Sequence, residues 1–274
     1  MLSQGVTTLS QESIDKFRAW LFVRGKSEQT VKAYSTDLKM FLLATETPVD
    51  QQEYEELSAR WLTLNRNKVS PKTTARRLTS LKAFARWAGW GPILEDYRPP
   101  EAAKSMPHPL PEGVEGIRRL IDCASNDNQR ALVALCGLCG CRIAEALSVV
   151  TTDFNTADHT LKIKGKGSKY RIVPVSKEAW EILEVPIIKA WIQQRPVVNL
   201  QDRQARKIIT NLGMRANLRR RISSHDLRAT FATEVYNSTL DIRVVQELLG
   251  HSSSVTTEIY VGVALGKLRS AVEL

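Results

Sequence analysis

The strongest constraint on the fold is the stretch PPEAAKSMPHPLP, from Pro99 to Pro111. It is rich in proline and carries no apolar periodicity, which predicts an extended, semi-stiff connector rather than part of a packed element. A chain of 274 residues divided there leaves two parts of ordinary domain size. The expected organisation is therefore a helical domain over 1–98, a linker over 99–111 and a second domain over 112–274.

From Ser10 to Trp90 the pattern is helical throughout. Ile14, Phe17 and Leu21, then Val31, Tyr34, Leu38, Phe41 and Leu42, recur at three- and four-residue steps, and Ser27 stands where the second helix needs an N-cap. A third helix is expected around Glu53 to Asn65. A fourth runs from Pro71, a first-turn proline, to Ala88, with Leu78, Leu81, Phe84 and Ala85 on one side. This helix and its approach also hold Lys68, Lys72, Arg76, Arg77, Lys82 and Arg86. Such runs are ordinarily solvated faces. The formal net charge of +10 and pI of about 9.6 make nucleic acid the first partner to consider without deciding it. The six are expected to form a phosphate-contacting surface because of the second-domain signatures and resemblance given below.

The second domain opens with expected helices around Glu115 to Ala124 and Asn128 to Val150. The period then changes. HTLKIKGKGSKYRIVPV alternates as a hairpin does, with a glycine-containing turn from Gly165 to Lys169, and helices resume from Lys177. The fold class that follows is mainly α with a small β-hairpin or sheet, a helical first domain preceding a mixed α/β second one. Cys123, Cys136, Cys139 and Cys141 fall in one short stretch, and Cys136 and Cys139 form a CxxC. ALVALCGLCGCRIAEAL lacks the strand-to-helix turn of a redox site and the second ligand pair of a zinc site, so buried structural thiols are expected. No run of about 18 apolar residues and no secretory leader is seen, so the expected location is the cytoplasm.

Five signatures in the second domain carry candidate chemistry: CRIAEAL, KGKGSK, SHDLRATFAT, LLGHSS and TTEIY. Arg142 and Glu145 stand three apart, the spacing of a shared helix face and ordinarily of a surface ion pair. His225 and Arg228 repeat the spacing, but both are donors, which makes a poor structural pair and a good anion site. KGKGSK is not a P-loop, because its glycines sit inside a hairpin, and the ordinary meaning is a basic β-turn. Tyr260 lies beside Ile259 and Val261, where a lone tyrosine is normally a half-buried ring.

Taken in order, Arg142, Lys166, His225, Arg228, His251 and Tyr260, with the LLGH and TTEIY contexts, resemble the tyrosine recombinase family of phage integrases and Xer-type enzymes. The match runs from about Leu132 to Val261, and the first domain is similar to that family's helical core-DNA-binding domain. The resemblance implies a site-specific recombinase that cuts and rejoins DNA through a 3′-phosphotyrosyl ester, with Tyr260 as nucleophile. It also implies His225 as the base and Lys166 as the general acid.

The residues suit that chemistry. Negative charge builds on the non-bridging oxygens of a phosphodiester under attack, and the planar forks of Arg142 and Arg228, with His251 as a third donor, answer it. A phenol of pKa about 10 needs an acceptor for its proton. Glu145 cannot bind phosphate directly and is expected to orient Arg142 or a neighbouring donor. The sequence contains no carboxylate cluster at metal-ligand spacing, and neither metal nor ATP is expected. Expected partners are double-stranded recombination sites held between the two domains, and a homotetramer on synapsed DNA. A C-terminal helix bearing Leu265, Leu268 and Val272 docks on a neighbour or on its own domain. An accessory directionality factor and association with a bacterial nucleoid also fit.

A compact phage integrase is the favoured role, because the segment after Tyr260 departs from the Thr-His frequent in Xer proteins. The alternatives are an Xer-like resolution enzyme, a type IB topoisomerase-like enzyme, a catalytically silent DNA-binding regulator and a metal nuclease.

Overall fold

A computed structural model describes residues 6–46, 48–101, 108–165 and 170–250. The chain divides into two units, Met1–Ser105 and Met106–Leu274.

In the first unit a two-residue strand β1 (Thr8–Leu9) precedes helices α1 (Gln11–Val23) and α2 (Glu28–Thr45). A second short strand, β2 (Val49–Asp50), leads into α3 (Gln51–Leu64) and α4 (Pro71–Ala88). Ser10, Ser27, Asp50 and Ser70 each accept the N–H three residues on, satisfying a donor that every helix start leaves open. Gly89 ends α4 at φ +78, a left-handed residue that needs no Cβ. The strand pair departs from the helix-throughout expectation. Leu9 pairs with Val49 and both are fully buried, so the ladder closes one edge of the core, and Asp50 then caps α3. Phe17 meets Phe84 edge-on at 5.5 Å, and Phe41 meets Tyr54 at 5.6 Å, at the centre of the four helices.

The second unit contains α5 (Gly113–Asp122), α6 (Asp127–Gly137) and the one-turn α7 (Ile143–Ala146). A three-stranded antiparallel sheet follows, ordered β3 (Phe154–Asn155), β4 (Thr160–Lys164), β5 (Tyr170–Pro174), and then α8 (Lys177–Ile192), α9 (Asp202–Arg215), α10 (Ser224–Thr239) and α11 (Ile242–Leu249). Leu161 and Ile163 point into the core from β4, as the alternation predicts. Helix α6 packs against α5, α8 and α10, and every residue from Ala131 to Gly137 is buried, which is why its sequence is apolar on all sides.

The single helix expected from Asn128 to Val150 is corrected here to two. The cause is Gly140, at φ +65, where a Cβ would stand 2.5 Å from the Phe231 ring. The N–H groups of Cys139 and Cys141 fold back onto the carbonyls of Ala134 and Leu135, and the chain reverses into α7. Within the expected connector, residues 102–107 lie outside those described, and its far end is held down. Leu110 is buried, and its N–H donates to Thr230 Oγ1 at 2.8 Å. The expected C-terminal helix also lies outside the described residues.

Candidate active site

Arg142 is the N-cap of α7 and Glu145 its third residue, so they meet through a capping bond and not across the face of a long helix. The Arg142 backbone N–H donates to Glu145 Oε2 and its Nη1 to Oε1, both at 2.8 Å. The first of these satisfies an N–H that the start of the helix leaves open, and it runs one way only because a guanidinium has no acceptor to return. Arg171 of β5 grips the same carboxylate with a two-pronged fork, Nη2 to Oε2 at 2.7 Å and Nη1 to Oε1 at 3.1 Å. Arg228 brings Nη1 to 3.6 Å from Oε2. One carboxylate thus gathers three guanidinium groups. Burial pushes the Glu145 carboxyl up, but the bonds from Arg171 and Arg142 outweigh it and bring the pKa down to about 2.

Helix α10 supplies the other two described candidates. Asp226 Oδ2 accepts from the Ser223 N–H and hydroxyl, both at 2.6 Å, closing a capping exchange that fixes the start of the helix. His225 sits within this first turn and is exposed. Partial desolvation, then the positive fields of Arg206, Arg228 and Arg142, pull its imidazole below its ordinary pKa against the opposing Asp226. The neutral form, the one able to take a proton, is favoured. One turn on, Arg228 points inward, 5% exposed, donating from Nη1 to the Gly140 carbonyl and from Nη2 to the Leu249 carbonyl at 2.7 Å. The main-chain reversal at Gly140 therefore receives one of the two arginines directly.

Arg142, Glu145, His225 and Arg228 are thus brought to one place by α7 and α10. Lys166, His251 and Tyr260 lie outside the described residues; the strands that flank Lys166 and the end of α11 that precedes His251 are described. Arg171 escapes a reading that looks for charged residues in helices. Its signal was the hairpin alternation, which places it on the same side of β5 as buried Val173.

In the first unit Lys68, Lys72 and Arg86 are exposed and Lys82 is half-buried. Arg77 departs from the expected outward face, whereas Arg76 keeps 40% of its side chain exposed. Arg76 Nη1 bonds Asp37 Oδ2 at 2.7 Å, while Arg77, 4% exposed, lies 4.7 Å from the centre of the Trp61 ring. Arg77 falls four residues before Leu81 and seven before Phe84, the core-facing repeat of α4.

All four cysteines are free thiols. Cys136, Cys139 and Cys141 are buried, and burial raises each thiol well above its ordinary pKa, Cys141 to about 12. That is the behaviour of packing groups rather than nucleophiles. Among the described residues no group of His, Cys, Asp and Glu is placed to hold a metal ion, and no helix is long and apolar enough to cross a membrane.

Residues 114–265 match the phage integrase family and residues 14–91 its N-terminal SAM-like domain. Among curated relatives, tyrosine recombinase XerA of Pyrococcus furiosus is 29% identical, covering 97% of this chain and 94% of its own. XerD of Bifidobacterium longum is 30% identical over 88% of this chain and 89% of its own. Among solved structures, XerH site-specific recombinase bound to a palindromic difH substrate aligns with a TM-score of 0.71 at 21% identity, covering 97% of this chain and 84% of that one. A lambda integrase dimer bound to a core site aligns at 0.69 and 17% identity, over 92% and 95% of the two chains. The chain belongs to the phage integrase family and is a tyrosine recombinase, an enzyme that breaks and rejoins DNA.

Proposed function

We propose that the protein acts on double-stranded recombination sites through Tyr260, with Arg142, Lys166, His225, Arg228 and His251 as its partners in the chemistry. The supporting observation is the gathering of Arg142 and Arg228 about Glu145, with a His225 favoured in its neutral form one helical turn from Arg228. The Tyr260 oxygen bonds the phosphorus as its proton passes to His225, and the bond to the 5′ oxygen breaks as Lys166 protonates the leaving hydroxyl. The arginines and His251 take up the negative charge that grows on the non-bridging oxygens. The phosphotyrosyl ester conserves the bond, so a second strand's 5′ hydroxyl reverses the step without ATP or a metal.

Residues 99–111 link a DNA-binding first domain to the catalytic one, and Lys68, Lys72, Lys82 and Arg86 meet phosphates. The active assembly is a homotetramer on two synapsed sites, with the C-terminal segment docking on a neighbour and an accessory factor setting direction. The favoured role is integration between two unlike attachment sites. A second role, resolution between like sites, is supported by the Xer names of its relatives.

Purified protein on a nicked suicide substrate tests the chemistry. The wild type is expected to form a covalent adduct that survives EDTA, and Tyr260→Phe to bind the same site without one. An adduct at undiminished yield from Tyr260→Phe overturns the proposal. Pairing like and unlike sites in the same assay separates the two roles.

A further inference from the structure

We propose that Arg171 is a positioning residue of strand cleavage, tying Glu145, and through it Arg142 and Arg228, to β5 and to the end of α11. The proposal rests on the tyrosine recombinase chemistry put forward above, in which Glu145 holds the arginines.

Along β5, Tyr170 and Ile172 are exposed, while Arg171 turns inward with Val173 and its side chain is only 8% exposed. An arginine so covered is costly unless its donors are met. Here Nη1 and Nη2 are spent on the two oxygens of Glu145, and Nε donates to the Leu248 carbonyl at 2.8 Å. Leu248 precedes His251 by three residues, and β5 follows Lys166 by four. The one guanidinium therefore bonds the residue that caps Arg142 and the end of α11, from a strand that begins four residues after Lys166.

The neighbouring backbone is shaped to admit it. Gly250 follows α11 at φ +63, and a Cβ there would stand 3.0 Å from Arg171 Cδ. A lysine in place of Arg171 retains the charge but lacks the planar fork whose separate nitrogens meet both carboxylate oxygens and the carbonyl. Arg171 need not touch the phosphate: its effect passes through Glu145 and the α11 terminus.

The test is a double-mutant cycle on the full-length enzyme, reading the rate of adduct formation on a nicked site at saturating protein, with affinity and thermal melting measured alongside. Arg171→Ala is expected to slow adduct formation by roughly tenfold to a hundredfold while DNA affinity changes by less than about threefold. In a Glu145→Gln background the same change is expected to cost less than about threefold, because the residue it acts through is already altered. Equal losses in both backgrounds, an undiminished rate, or a fall in affinity that parallels the rate overturns the positioning role. If Arg171→Ala does not fold, Arg171→Lys carries the same cycle, with the same outcomes deciding it. The wild type is the control for the underlying chemistry: no adduct from it overturns the proposed role of Tyr260, whereas a normal adduct with an indifferent Arg171 overturns this inference alone.

Discussion

The Phe231 ring occupies the place where any side chain on residue 140 would begin: a Cβ on Gly140 would stand 2.5 Å from Phe231 Cδ1 and 2.6 Å from Cε1. The half-buried Phe231 ring must shift to admit a methyl group there. Gly140→Ala adds this overlap to a left-handed backbone, and together they are expected to cost about 2–5 kcal/mol of stability. Urea unfolding measures it. Because the Gly140 carbonyl receives Arg228, the variant should also cleave slowly at temperatures where it remains folded.

The Glu145 carboxylate makes stability depend on acid. Its folded pKa of about 2 lies below the ordinary 4.5, so its contribution is complete above about pH 4.5 and is lost as the pH falls towards 2. The groups facing it are Arg142, Arg171 and Arg228, with the thiols of Cys136 and Cys141 nearby. The shift corresponds to roughly 3 kcal/mol. The unfolding free energy is expected to fall further between pH 6 and pH 3 for the wild type than for Glu145→Gln; equal falls refute the assignment.

His225 shares the preference for the deprotonated form, which for an imidazole is the uncharged one. Its pKa lies below the ordinary histidine value, so the proton-accepting form persists at lower pH than for a free imidazole. Cleavage rate should rise with pH through this depressed value and then level, with the acid limb below about pH 6.5. Replacing Arg206 by Gln removes one of the positive fields and should move that limb upward. A limb that stays in place shows that another group sets it.

The basic residues of the first unit divide into two kinds. Lys68→Ala, Lys72→Ala and Arg86→Ala should each lower the slope of log affinity against log salt by about 0.9 if each meets one phosphate. Arg77→Met should leave that slope unchanged, because Arg77 is buried against Trp61 and Asp37. A changed slope in the Arg77 variant would show that it leaves its pocket on DNA.

Thiol labelling of the native protein checks the cysteine assignment. Cys123, partly exposed, should react first, and Cys136, Cys139 and Cys141 only after unfolding. Fast labelling of any of the three would contradict their packing role.

Helix α4 was legible to the residue because Ser70, Pro71 and Gly89 punctuate it with local chemistry, and the apolar residues between repeat at the helical period. The break between α6 and α7 was not. Its cause is a glycine whose left-handed turn is dictated by a ring about ninety residues away, and an unbroken apolar run looks the same with or without it. The pairing of Arg142 with Glu145 could be read from spacing, although the spacing reports a cap here rather than a helix face. Arg171 and Arg77 show the commoner failure: charge suggests a surface, and only the strand or helix period reveals that each faces inward.

Three guanidinium groups converge on a single carboxylate. Like charges held close and partly screened from water repel, and a bound multivalent oxyanion relieves that repulsion only while the fold keeps them together. Sulfate or inorganic phosphate should therefore raise the melting temperature beyond what chloride does at equal ionic strength.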